Sequence, residues 1–172
     1  LIALSRTDGK LLWTYDRAGA VVCDPLLLGH ELIVLTTRPV YPQKLLLSFC
    51  RVDALSGELV AQRTLCEFRD QWRGLLPFQA TLVNDRIVAA GGGCVICLDL
   101  TGQFLWLRQP VWIPPNAEAI GAAWVSQLHQ PPMVFGDYVF PMQPGMCSVE
   151  CLDLYTGRLV WFEMSPRITG LL

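Results

Sequence analysis

One short phrase recurs four times along the chain and constrains its fold more than any other feature. Three copies read Leu/Val-Asp followed within four residues by Ser/Thr-Gly, and the first copy ends in Asp-Gly. The closing glycines are spaced by 48, 45 and 55 residues: Gly9, Gly57, Gly102 and Gly157. A period of about 40 to 50 residues is typical of a four-stranded propeller blade, although helical repeats of similar length exist.

Tryptophan follows the closing glycine at a constant distance in three of the four copies. Trp13, Trp106 and Trp161 each lie four residues after the glycine, whereas Ala61 has that place in the second copy. On the strand that returns from the turn, an indole is large enough to cover the gap between diverging blades. We expect these tryptophans to be spacers between blades, and the Ala61 blade to be the least tightly docked.

Short apolar runs around each copy indicate strands rather than helices. They are rich in Val, Ile, Leu and aromatic residues and are bounded by turn residues: 31–37, 86–90, 94–99 and 138–142. Polar pairs at 29–30, 84–85 and 136–137 read as hairpins between a blade's first two strands. The chain has 12 prolines, mostly between these runs, which disfavours long helices.

These patterns predict an all-β fold, a β-propeller fragment of about 3.5 four-stranded antiparallel blades. We expect an open arc rather than a closed ring, completed by further blades of the same parent chain. The predicted parts are the last strands of one blade, three blades and an exit segment: 1–17, 18–66, 67–109, 110–164 and 165–172. The third of these blades carries a long inserted loop.

The acidic residues of the phrase have a structural explanation. Asp53, Asp99 and Asp153 each end a strand, where a carboxylate can accept hydrogen bonds from turn amides two or three residues on. The glycine that follows supplies the positive φ of the turn. We therefore expect these aspartates to cap turns rather than to act in catalysis or bind a metal.

The string from Leu152 to Trp161 resembles the tryptophan-docking repeat of pyrroloquinoline-quinone (PQQ) dehydrogenases and their non-enzymatic relatives. Those relatives include a bacterial outer-membrane assembly lipoprotein. The resemblance covers most of the chain at one copy per blade. It implies a quinoprotein-type propeller and, through the relatives, an extracytoplasmic or envelope location, but the repeat is specific for fold rather than for function.

The resemblance also implies what an enzymatic member would need: a quinone held against a disulfide of two adjacent cysteines, and a calcium ion. No two of the seven cysteines are adjacent, and Cys94–Cys97 is followed by leucine where a c-type haem motif has histidine. The isolated Glu31, Glu67, Glu118 and Asn116 do not assemble into a calcium site. We expect no catalytic, cofactor-binding or metal-binding residue, with Cys97 and Cys151 as small buried hydrophobes.

Charge and hydropathy narrow the classes of partner. Thirteen basic and fifteen acidic residues leave a net charge of −2, without the basic stripe that nucleic acid binding requires. The longest uncharged apolar stretch, 87–98, contains three glycines and is shorter than the roughly 18 residues of a membrane span. We expect neither a nucleic acid partner nor a transmembrane segment.

Two segments between predicted blades, 67–73 and 109–132, are unusual in their aromatic and charged residues. Connections between successive blades gather on one face of a propeller, where binding residues concentrate. We expect a common groove on that face bordered by Arg69, Trp72, Arg73, Trp112, Asn116 and Glu118.

The leading hypothesis is a non-catalytic module that binds a protein or an extended polymer in this groove. The first alternative is part of a PQQ-dependent dehydrogenase whose quinone and calcium sites lie in other blades. The second alternative is a structural spacer without a ligand of its own.

Overall fold

The computed structural model describes residues 1–40, 44–69, 78–91, 93–109, 130–141 and 148–164. Every regular element in these residues is a β-strand, and adjacent strands pair antiparallel. The strands are β1 (Ile2–Leu4), β2 (Leu11–Thr14), β3 (Ala20–Val21), β4 (Leu26–Leu28), β5 (Glu31–Val40), β6 (Lys44–Asp53), β7 (Leu59–Arg69), β8 (Gln79–Val83), β9 (Arg86–Gly91), β10 (Cys94–Asp99), β11 (Phe104–Arg108), β12 (Met133–Phe135), β13 (Tyr138–Phe140), β14 (Ser148–Asp153) and β15 (Leu159–Met164).

The chain divides into two compact units, Leu1–Leu76 and Pro77–Leu172. The first unit contains the β1–β2 pair and a larger sheet in the order β3-β5-β6-β7. Strand β4 also pairs with β5, so the first strand of this blade is split into β3 and β4. Pro25 lies in the interruption, where its missing N–H leaves no ladder hydrogen bond to lose.

The second unit contains two four-stranded sheets, in the orders β11-β10-β9-β8 and β12-β13-β14-β15. Strands follow one another in space as they do along the chain, which is the meander of a propeller blade. None of the sheets of the described residues closes on itself. The all-β prediction and the prediction of four-stranded antiparallel blades are therefore confirmed.

The apolar core of each unit lies mainly on the central strands of its sheets, with further residues from an edge strand and from the connections. In the first unit, Tyr15 and Ala18 pack against residues of β5 and β6, among them Val34, Cys50 and Val52. In the second unit the two sheets share one cluster of buried residues: Val88, Ala90, Val95, Cys97, Trp106, Val139, Leu152 and Leu154. Burial of these apolar side chains is the main stabilising contribution in both units.

The three predicted hairpins are present between the first two strands of each sheet. Residues 29–30, 84–85 and 136–137 form tight turns. Gly29, Asn84 and Gly136 have positive φ angles of 61°, 51° and 58°. Positive φ at the first turn residue matches the right-handed twist of the flanking strands, so these polar pairs were sufficient to place the turns.

Two strands of the first unit differ from the sequence prediction. Strand β5 continues from the predicted end at residue 37 to Val40, and β7 continues to Arg69. Residues 67–69, predicted as the start of a loop, belong to β7 because residues 44–46 of β6 pair with them. The pairing partner, which lies more than 20 residues away, extends the strand beyond what the local sequence indicates.

Candidate functional site

Each unit has two chemically different ends. In the first unit, the hairpin at 29–30 and the repeat turn at 53–57 are joined by a hydrogen bond from Ala54 N to His30 O (2.9 Å). In the second unit, Leu154 N donates to Asp137 O (2.8 Å). We call this end of each sheet the turn end, and the opposite end the loop end.

The aspartates of the repeat organise the turn end. Asp53 Oδ1 accepts hydrogen bonds from the backbone N–H of Leu55 and Ser56 at 3.0 and 2.7 Å, and from the Ser56 hydroxyl at 3.0 Å. Asp153 Oδ1 makes the equivalent contacts with Tyr155 and Thr156 at 2.7–3.1 Å. One oxygen of each carboxylate thus holds its own turn.

These hydrogen bonds also set the charge state of the carboxylates. The pKa of Asp53 is lowered, first by the Ser56 backbone N–H, and that of Asp153 is lowered, first by the Thr156 hydroxyl. Both side chains therefore stay ionised at neutral pH. A carboxylate in this state is an acceptor for its turn and is a poor proton donor for catalysis.

Two repeat tryptophans contact the turn of the following sheet within their own unit. Trp13 Nε1 donates to Ala54 O at 3.1 Å, and Trp106 Nε1 donates to Leu154 O at 2.8 Å. Each indole lies against the closing glycine of that turn, where a Cβ would come within 2.6 Å of the ring. Only glycine leaves room for the indole, and the positive φ at Gly57 and Gly157 favours it further.

The groove predicted from sequence falls largely outside the described residues. Arg69 ends strand β7 at the loop end, where it pairs with Lys44. The other five predicted residues lie outside the described part of the chain: Trp72, Arg73, Trp112, Asn116 and Glu118. Their grouping with Arg69 therefore stays a prediction.

The loop end of the first unit carries a polar pocket that sequence reasoning missed. Its volume is about 320 Å³, and its walls are the β2–β3 connection, the last part of β5 and the middle of β6 and β7. We call it the arginine pocket, lined by Arg17, Ala18, Arg38, Leu46, Ser48, Gln62 and Thr64. No local pattern marks Arg17 and Arg38 as neighbours, because the pairing of β5 with β6 and the path of the connection bring them to one pocket.

Most cysteines in the described residues are buried. Cys50, Cys97 and Cys151 are among the buried ones, and the latter two lie at equivalent repeat positions. Burial raises the pKa of Cys23 and of Cys97 to about 11, which keeps both thiols protonated and unreactive. No three His, Cys, Asp or Glu side chains of the described residues cluster as a metal site.

Sequence comparison decides the family. The profile of the family described as "Outer membrane protein assembly factor BamB", which is of the PQQ-like type, matches residues 1–165. The chain belongs to this family. No curated protein matches the chain at a significant level. Within the described residues, no helix combines the length and the apolar character needed to cross a membrane.

A solved BamB-family structure shows the same fold. The crystal structure of BamB from Moraxella catarrhalis superimposes with a TM-score of 0.55 at 18% sequence identity. The match covers 95% of this chain but 44% of that protein, so the chain spans less than half the length of this relative. At this identity the likeness establishes the propeller fold of the BamB family and not a shared activity.

Proposed function

We propose that this BamB-family chain is a non-catalytic propeller module that binds another protein. The observation that carries the proposal is the family match over residues 1–165, because members of this family are described as assembly factors for outer membrane proteins. The turn aspartates support its non-catalytic part, since Asp53, Asp99 and Asp153 each accept hydrogen bonds from their own turn. An extended polymer is the other ligand that a long groove would accept.

The loop end is the proposed binding surface. Connections between blades emerge there, and surface loops are where binding residues concentrate, while the turn end is occupied by hydrogen bonds within the repeat. We place the groove bordered by Arg69, Trp72, Arg73, Trp112, Asn116 and Glu118 on this surface. Tryptophan and arginine are the residues most often found to dominate binding energy at protein interfaces.

The rest of the repeat would act as a scaffold for that surface. In this proposal Trp13 and Trp106 hold one blade to the next by filling the space above a glycine and donating to a turn carbonyl. A rigid scaffold limits the entropy that its binding surface loses on association. The proposed location is the bacterial cell envelope, as the description of the family suggests.

Site-specific photo-crosslinking tests the binding surface. A photoreactive phenylalanine analogue replaces Trp72 or Trp112 in one pair of variants, and Leu55 or Tyr155, exposed at the turn end, in a control pair. We expect a discrete protein adduct in the first pair only. Equal adducts from both pairs, or adducts from the turn end alone, would contradict a binding surface at the loop end.

Cofactor titration tests the non-catalytic part of the proposal. The purified protein is titrated with PQQ and calcium, and electron transfer from primary alcohols to a dye is followed. We expect neither saturable quinone binding nor dye reduction. Saturable binding in the micromolar range with dye reduction would replace the proposal by the dehydrogenase alternative.

A further inference from the structure

The arginine pocket has a wall whose position is set by packing. Tyr15 and Ala18, which precede and follow Arg17 in the chain, are both buried. Their burial anchors the β2–β3 connection against the sheet. Gly19 has a φ of 106°, and a Cβ there would lie 2.4 Å from Thr37 O. The connection therefore approaches β5 as closely as backbone permits, next to Arg38. Arg17 and Arg38 line one pocket as a result of this approach.

The two arginines of the pocket form no ion pair with another described residue, and Asp16, the chain neighbour of Arg17, is not part of the lining. Other arginines there pair with carboxylates, as in Arg51–Glu31 and Arg108–Glu150 (3.2 Å). The acid nearest to the pocket along β7, Glu67, is held by Lys44 at 3.0 Å. No residue that lines the pocket is acidic, and the described residues provide no ion-pair partner for Arg17 or Arg38.

The lining suits one planar anion. Two guanidinium groups offer paired N–H donors whose geometry matches both oxygens of a carboxylate. Ser48, Gln62 and Thr64 add neutral donors, and Ala18 and Leu46 supply apolar surface for a short aliphatic stem. A volume of about 320 Å³ holds one acidic side chain and part of its backbone, but not a folded element.

We infer that the arginine pocket binds the carboxylate of an Asp or Glu side chain in an extended segment of the partner protein. This inference rests on the proposed function, because it assigns the pocket to the same loop end. Both arginine side chains are exposed, so the pocket opens to solvent and its ligand can remain attached to a larger chain. The outer wall lies on β7, an edge strand of its sheet, which leaves room for an extended segment to approach.

Peptide binding to charge variants tests the inference. The probes are a dye-labelled peptide of four Glu-Gly pairs and its Gln-Gly counterpart, followed by fluorescence anisotropy with the purified protein. The test variant is R17Q/R38Q. The matched control R6Q/R158Q removes the same charge from exposed arginines at the turn end. R17K/R38K keeps the charge and removes the paired donors.

The expected result is saturable binding of the acidic peptide to the wild type and to R6Q/R158Q, and no binding of the Gln-Gly peptide. Affinity should fall about tenfold or more in R17Q/R38Q and several-fold in R17K/R38K, because charge-assisted and bidentate hydrogen bonds are lost. Thermal unfolding must be unchanged in all three variants, which separates lost binding from lost folding.

Two results would overturn the inference. If R17Q/R38Q binds the acidic peptide as the wild type does, the pocket is not the carboxylate site, whereas the loop-end crosslinks would still support the proposed function. If inorganic phosphate or phosphatidylglycerol vesicles bind in an Arg17- and Arg38-dependent manner while the acidic peptide does not, the ligand is a phosphate group and not an acidic side chain.

Discussion

The environment of a repeat tryptophan differs from one copy to the next. Trp106 is 9% exposed and donates to Leu154 O, whereas Trp161 is 47% exposed and contacts Phe140 with 6.0 Å between ring centroids. We therefore expect the same residue type at the same repeat position to contribute different amounts to stability. What decides the contribution is the surface that meets the indole, which the repeat itself does not specify.

Truncating the two tryptophans should separate these contributions. W106A should lower the free energy of unfolding by about 3–5 kcal/mol, because it empties a buried site, and W161A by less than about 1 kcal/mol. W106F keeps most of the ring and loses the hydrogen bond, at a cost of about 1 kcal/mol or more. Urea unfolding of the four proteins measures this order. An equal loss in W106A and W161A would be incompatible with the different burial of the two indoles.

The closing glycines allow a second comparison at the residue scale. Gly9 and Gly57 have φ angles of 70° and 73°, yet a Cβ at Gly9 meets nothing within 4 Å, and one at Gly57 would lie 2.6 Å from the Trp13 ring. G9A should cost about 1 kcal/mol for backbone strain alone. G57A should cost at least 1 kcal/mol more, because the indole must move. Equal unfolding free energies for the two variants would show that the indole is not held against Gly57.

At the scale of the element, the repeat turn is a compact acid-sensitive unit. Asp153 accepts hydrogen bonds from the Thr156 hydroxyl and from two backbone N–H groups, and its pKa lies below the ordinary value of 3.8. A carboxyl with a lowered folded-state pKa stabilises the fold above its unfolded-state pKa. The contribution is lost as the pH falls through the folded-state value.

The lowered pKa of Asp153 predicts how the stability of the turn responds to acid. The unfolding free energy of the wild type should fall as the pH drops from about 5 through the folded-state pKa of Asp153, and that of D153N should fall less, because the asparagine oxygen does not titrate. Chemical denaturation at a series of pH values measures the difference. D85N, which changes an exposed hairpin carboxyl, is the control. Parallel profiles for the wild type and D153N would rule out a role of the turn carboxylate in acid stability.

The hairpin turns can be predicted from the sequence, whereas the ends of two strands cannot. The hairpins at 29–30, 84–85 and 136–137 were placed correctly because a turn depends on the φ preferences of its own few residues. For β5 and β7, the local sequence predicts earlier ends than the structure has. A strand end depends on a partner strand that lies elsewhere in the chain, and no local preference reports it.

Across the whole molecule, the reactivity of each cysteine thiol depends on how deeply it is buried. Cys50 and Cys97 are fully buried in the first and second units, and Cys94 is partly exposed. Because the pKa of Cys97 is raised to about 11, its thiolate is scarce near neutral pH as well as inaccessible. Each buried thiol therefore reports on the folding of its own unit.

Alkylation read by mass spectrometry should show this protection. At pH 8, Cys50 and Cys97 should react at least about tenfold more slowly than Cys94 in the native protein, and as fast as Cys94 in concentrated urea. Following both cysteines through a urea series also compares the stability of the two units. Rapid native labelling of Cys97 would contradict its place in the core.

Local and periodic properties can be read from the amino-acid sequence: the repeat, its turn chemistry, the hairpins and hence the all-β propeller class. These properties follow from φ preferences, from hydrogen bonds over two to four residues and from the regular recurrence of one phrase. The tertiary structure alone decided which indole is buried and that Arg17 and Arg38, far apart in sequence, line one pocket. Both depend on strand register and on close backbone approach, which are set by packing between distant segments.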